Sequence, residues 1–191
     1  MYCYLIRHGQ DDESIRGGWS AHPLTEKGRR QAEELAEKNM DIVNIYSSDL
    51  PRAMETAEIM ARAKNLPVVP LTSFREVNNG KLAGMKHHLA EQLYPGVYWN
   101  TLRWEEHFPE GESPEEFYQR VSTAWDRFSK EMTEQNGNVA LVTHGGVIQV
   151  ILSIVQGLPY SNKQSIRKVK NAEIVVLELK NGVWTEKEIT H

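Results

Sequence analysis

Two histidines, two arginines and a glutamate sit where this sequence could do phosphoryl chemistry. Arg7-His8-Gly9 closes a first apolar run, and Arg52 follows Ser47 and Ser48. Arg75-Glu76 follows a third run, and Thr143-His144-Gly145-Gly146 closes a fourth. Guanidinium groups present forked donors that match phosphate oxygens. A pair of glycines opening a helix lets an anion come close to free backbone N–H groups. A neutral imidazole can attack phosphorus, and positive charge around His8 (Arg7, Arg52 and His144) favours the neutral form. A carboxylic acid is then needed for the leaving oxygen, and Glu76 is the candidate. Ionised, the same group could activate water. His144 is placed to stabilise the equatorial oxygens of the transition state.

These residues meet only if the elements before them are strands of one sheet. The sequence alternates apolar runs with helical patterns. Strands are predicted at 2–7, 42–47, 67–71 and 138–143. Thr25 caps a helix to about Lys38 with Ala32, Leu35 and Ala36 on one face. Ser48 or Asp49 is the predicted cap of a helix that has Pro51 in its first turn and Ala53, Ala57, Met60 and Ala61 on one face. A short helix is predicted near 86–94. Ser113-Pro114-Glu115-Glu116 is a capping box; behind it Phe117, Val121, Ala124, Trp125, Phe128 and Met132 recur at helical spacing. A last helix runs from about Gly145 to Gly157, and a hairpin follows, Glu173–Leu179 and Val183–Ile189 around Asn181-Gly182. The expected fold is α/β, a three-layer sandwich with a mixed, mainly parallel sheet and helices on both faces. In such sheets ligands bind beyond the carboxyl ends of the strands. The 191 residues suit a single domain over 1–191, with an insertion or lid at about 77–112.

An ordered series of motifs resembles the histidine phosphatase superfamily, which includes cofactor-dependent phosphoglycerate mutases and many small phosphatases. Arg7-His8-Gly9 is similar to its signature. Pro23-Leu24-Thr25, with Gly28, Gln31 and Ala32, resembles its "PLTexGxxQA" helix start. Ser47-Ser48-Asp49-Leu50-Pro51-Arg52-Ala53 resembles "SSxLxRA", and Phe74-Arg75-Glu76 with Gly80 and Gly84 resembles "LrE…G…G". Gly111-Glu112-Ser113 and Thr143-His144-Gly145-Gly146 complete the series. The resemblance implies a phosphomonoesterase with a phosphohistidine on His8. It implies phosphate held by Arg7, Arg52, His8 and His144, with Gly9, Ser14 and Gly145 around it, and neither metal nor organic cofactor. Many members read "RHGETxWN" where this chain has Gln10-Asp11-Asp12-Glu13-Ser14; Ser14 takes the place of an asparagine that contacts phosphate, and His22 that of an aspartate. The acidic run would repel highly charged substrates if it faced the pocket. The alternatives are a mutase, whose usual arginine pair is reduced here to Arg103, and a non-catalytic phospholigand-binding module.

The remaining composition narrows the setting. A net charge of −4 argues against nucleic acid as a partner. No apolar stretch is long enough to span a membrane and no signal peptide is expected, so a cytoplasmic phosphatase of small phosphorylated metabolites is the reading. The one cysteine, Cys3, is expected to be a buried hydrophobe. His87, His88 and His107 lack metal-ligand spacing. Tyr94, Tyr98, Trp99, Trp104 and Phe108 are expected to pack as a satellite core, part of which walls the pocket.

Overall fold

The computed structural model describes residues 1–187. Its centre is a six-stranded sheet. β1 (Tyr2–Arg7), β2 (Ile42–Ser47), β3 (Val68–Pro70) and β4 (Asn138–Thr143) are parallel, in the order β3-β2-β4-β1. β5 (Ile174–Lys180) pairs antiparallel with β1, and β6 (Val183–Lys187) with β5. The expected mixed, mainly parallel sheet is what forms. Glu188 and Ile189 of the predicted hairpin lie outside the described residues. Asn181 and Gly182 both take positive φ, 52° and 77°, as a two-residue turn matched to the strand twist requires.

Period-two alternation sorts the strand residues between two cores. Cys3, Leu5, Val139 and Leu141 meet Phe117, Val121, Trp125, Val147 and Ile151 from α4 (Pro114–Thr133) and α5 (Gly145–Gln156). Ile6, Ile45, Ala140 and Val142 meet Leu35, Ala53, Ala57 and Met60 from α1 (Glu26–Glu37) and α2 (Pro51–Lys64). Helices therefore cover both faces. Cys3 is fully buried, and desolvation pushes its thiol pKa up, away from the reactive thiolate.

Thr25 caps α1 through Gly28 N–H, and the capping box of α4 forms between Ser113 and Glu116. The cap of α2 differs from expectation. Leu50 occupies that position without a side-chain bond. Asp49 is drawn away by Arg75, which grips both its oxygens, and Ser48 Oγ is shared between Leu50 N–H and His144. β3 is also shorter than the predicted 67–71. The segment between β3 and α4 contains α3 (His87–Leu93) and a small apolar cluster of Leu82, Ala90, Leu102 and Phe108.

Candidate active site

Register brings the chemistry together. Arg7 lies opposite Thr143 and Ser47 opposite Val142, so β1, β2 and β4 end at one edge. His8 N–H bonds to Thr143 O (3.0 Å) and Ser48 N–H to Val142 O (2.9 Å), which continues the sheet past its last residues. A cavity of about 340 Å³ opens there, lined by Arg7, His8, Asp11, Asp12, Arg52 and Glu76 among others.

His8 is buried, with its ring fixed at both nitrogens. Nδ1 lies 2.7 Å from Gly9 O, and Arg52 Nε–H points at Nε2 from 3.2 Å. A carbonyl can only accept, so Nδ1 carries the proton and Nε2 keeps its lone pair. Burial and then the Arg52 charge hold the His8 pKa well below the usual histidine value, against the pull of the Gly9 bond. His8 is therefore neutral at neutral pH. Burial followed by Arg52 does the same to His144, whose ring centroid lies 5.1 Å from that of His8. His144 Nε2 meets Ser48 Oγ at 2.7 Å, while its buried Nδ1 has no partner among the described residues. With the serine proton directed to Nε2, the Nδ1–H is left for a ligand oxygen.

Arg52 is almost wholly buried yet makes one ion pair only among the described residues, to Asp11 Oδ2 at 3.4 Å. Its Nη2 donates to Gly18 O (2.8 Å) and its Nη1 to Ser20. Arg7 Nη1 donates to Val169 O (2.7 Å), and its buried Nε has no partner among the described residues. Two cations thus face one cavity with donor capacity left over, a setting that suits a dianion.

Glu76 lines the same cavity. Its Oε1 accepts from Val77 N–H (3.0 Å) and its Oε2 from Gly146 N–H (3.1 Å). The helix start read as an anion site is thus partly taken by the protein's own carboxyl group. A Cβ on Gly146 would come within 2.3 Å of Glu76 Oε1, so that glycine makes room for Glu76. Gly145 stands beside Arg7, where a Cβ would lie 3.7 Å from Nε.

Two of the expected residues play other parts. Gly9 orients the His8 ring through its carbonyl, and its N–H bonds to Thr56 Oγ1. Ser14 is exposed on the rim; its hydroxyl bonds to Asp12 Oδ1 and receives Lys86 Nζ, and it does not line the cavity. His22 packs its ring near Gly84.

A supporting layer around Glu76 has only weak sequence signals. Arg120 of α4 donates to the carbonyls of Ser73, Arg75 and Glu76, and grips both oxygens of Glu112. Glu112 in turn accepts Asn78 N–H, and Trp19 Nε1–H donates to Glu76 O at 2.7 Å. Glu112 was visible as part of the Gly111-Glu112-Ser113 motif. Arg120 and Trp19 carried no mark, because one looks like a solvated helix charge and the other like a loop aromatic.

The aromatic segment mostly packs inward. Trp99 contacts Phe108 and Phe117, and Trp104 contacts Tyr118 and Tyr160. Trp99 and Tyr160 also line a second cavity of about 380 Å³ on the far side of Glu76. Among the described residues no three His, Cys, Asp or Glu side chains form a group that could hold a metal, and no helix is long and apolar enough to cross a membrane.

The chain is similar to known proteins over nearly its whole length. The histidine phosphatase superfamily (branch 1) matches residues 3–191. The Escherichia coli protein named probable phosphoglycerate mutase GpmB is 32% identical over 193 residues, covering 96% of this chain and 87% of that protein. Alpha-ribazole phosphatase from Shigella flexneri superposes with a TM-score of 0.84 at 25% identity, over 98% of this chain and 95% of that one. Mycobacterial glucosyl-3-phosphoglycerate phosphatase in complex with VO3 superposes with a TM-score of 0.78 at 28% identity, covering 98% of each.

Proposed function

From its membership of the histidine phosphatase superfamily, to which this chain belongs, we propose that the protein is a phosphomonoesterase acting on a small phosphorylated metabolite through a phosphohistidine on His8. The observation that carries this reading is the His8 imidazole: neutral, its Nδ1–H tied to Gly9 O and its Nε2 lone pair turned toward Arg52 in the cavity. Arg7, Arg52 and His144 Nδ1 supply the donors for the phosphoryl oxygens, with Gly145 leaving room beside Arg7.

The reaction runs in two steps. The His8 Nε2 lone pair forms the N–P bond while the P–O bond to the organic group breaks. The departing oxygen takes the proton of the Glu76 carboxylic acid. Glu76 can hold that proton on one oxygen and still accept from Val77 and Gly146, because each oxygen has a second lone pair. The resulting carboxylate then takes a proton from water as its oxygen attacks phosphorus. The N–P bond breaks, phosphate leaves and both residues return to their starting states. None of these steps uses a metal or an organic cofactor, and the chain acts as a single catalytic domain that carries residues 77–112 as an insertion.

The likeness to GpmB favours mutase activity as the second reading. Against it, Arg103 is exposed and pairs with Glu106, with no second arginine beside it to grip a carboxylate.

The deciding experiment is a screen of metabolite phosphates in EDTA, following phosphate release with the wild type and His8→Ala in parallel. Release by the wild type, reduced at least about a thousandfold in the variant, is expected. Equal activity in a folded variant would overturn the mechanism. Phosphoryl transfer from 2,3-bisphosphoglycerate with mutase turnover, and no release, would establish the second reading, and binding without either reaction a phospholigand module.

A further inference from the structure

All three residues of the acidic run Asp11-Asp12-Glu13 line the phosphate cavity, but of the three Asp11 alone sets its carboxylate against Arg52. Asp12 is neutralised on the rim, where Oδ1 accepts from Ser14 and Oδ2 from Lys86 Nζ. Those bonds lower its pKa to about 2. Glu13 is exposed. Asp11 is different. Its backbone bridges to Leu24, which fixes the direction of the side chain, and its carboxylate lies against the Nε of Arg52 with little exposure. The other two nitrogens of that guanidinium are committed to Gly18 and Ser20. The one free edge of Arg52 is therefore shared by His8, Asp11 and any incoming phosphate.

Sharing of this kind has a consequence for charge. Arg7 and Arg52 bring two positive charges to the cavity, Asp11 returns one negative charge, and Glu76 enters the proposed reaction as the neutral acid. A dianionic phosphate meets what is left. A second anion on the substrate, near the phosphate, would find no spare cation and would face the Asp11 carboxylate. A hydroxyl or an ammonium group there would be accepted by it.

Resting on the phosphatase reading, we propose that Asp11 is a specificity-determining residue that selects phosphomonoesters whose organic part is neutral or cationic and rejects those with a second anion close to the phosphate. The mutase reading, which requires anionic phosphoglycerates, is disfavoured by the same residue.

The test compares two phosphonates that cannot be hydrolysed and differ in one group, 3-hydroxypropylphosphonate and 3-phosphonopropionate. Affinities are measured by calorimetry with the wild type, Asp11→Asn and Asp11→Thr. The second variant restores the residue of the family pattern and guards against a folding defect peculiar to the first. The wild type is expected to bind the hydroxyl compound about tenfold more tightly, and each folded variant to narrow that gap to about twofold. Equal affinities in the wild type, or a gap unchanged in the variants, would overturn the proposal. Hydrolysis of glycerol phosphate by the wild type is followed in parallel. Its absence beside an intact gap would count against the phosphatase reading alone, since the phosphonates report selection without turnover.

Discussion

The floor and the rim of the cavity are built differently. On the floor, His8, Arg52, His144 and Glu76 are each held by backbone groups or buried side chains, and Arg52 and His144 have almost no exposure. On the rim, Ser14, Asp12 and Lys86 hold mainly one another, in solvent. Exposed charge pairs are worth little and rearrange readily. Buried donors fixed by the main chain act without reorganising. The floor is suited to a reaction common to all substrates, and the rim to adjusting which substrate arrives.

That contrast predicts a graded set of effects. The largest after loss of His8 belongs to Glu76→Gln, expected to lower kcat on an alkyl phosphate by about a hundred- to ten-thousandfold. On p-nitrophenyl phosphate, whose leaving group needs little protonation, the loss should be far smaller. Steady-state kinetics on both esters checks this, and equal losses would remove Glu76 from the role of acid.

Next comes Arg120→Met, which tests whether the floor depends on its supporting layer. Breaking the pair with Glu112 and freeing three carbonyls should cost about 2–4 kcal/mol in urea unfolding. Because Arg120 positions the Glu76 loop, kcat on alkyl esters should fall more than kcat on aryl esters. A stability loss with equal kinetic effects would make Arg120 structural only.

The buried imidazoles predict a pH effect of intermediate size. Their pKa values are depressed in the folded state, so below about pH 6.5 the unfolded chain binds protons that the folded chain does not. Stability should then fall with falling pH, by up to about 1.4 kcal/mol per pH unit for each histidine, and these groups should contribute no slope above pH 7.5. Urea midpoints at pH 7.5, 6.5 and 5.5 check the sign. A midpoint that rises on acidification would contradict neutral burial. The smallest effect is expected for Ser14→Ala on the rim, less than about twofold in kcat/KM on any neutral monoester. A tenfold loss would draw Ser14 back into the phosphate clamp.

The same divide explains what was legible in the sequence. The meeting of His8, Arg7, Arg52 and His144 at one sheet edge was readable because each follows a strand or opens a helix, and apolar periodicity reveals strands and helices. The sheet and both cores followed from that alternation. The partner of the α5 N-terminus was not readable: nothing in Gly145-Gly146 says that a loop carboxyl group from position 76 will occupy Gly146 N–H. Nor was the α2 cap, since the competition of Arg75 for Asp49 arises between residues far apart in the chain. Arg120 was hidden for a similar reason. A charge on a long amphipathic helix reads as solvated until the loop that it clamps is in place.

Gly9 and Gly28 have a consequence of a different kind. A Cβ on Gly9 would come within 2.4 Å of Gly28 O, and one on Gly28 within 2.1 Å of Gln10 O. Gly9 is the space that the Gly28 backbone fills, and Gly28 is the space filled by the backbone of Gln10, the residue after Gly9. In a mutational library the two positions should therefore behave as a single locus. The first substitution would force the turn after β1 away from α1, and with that contact already lost the second would add little, a strong departure from additivity. Tolerance at either site would have to be inherited through the other, so the start of α1 and the loop bearing the nucleophile can drift only in step.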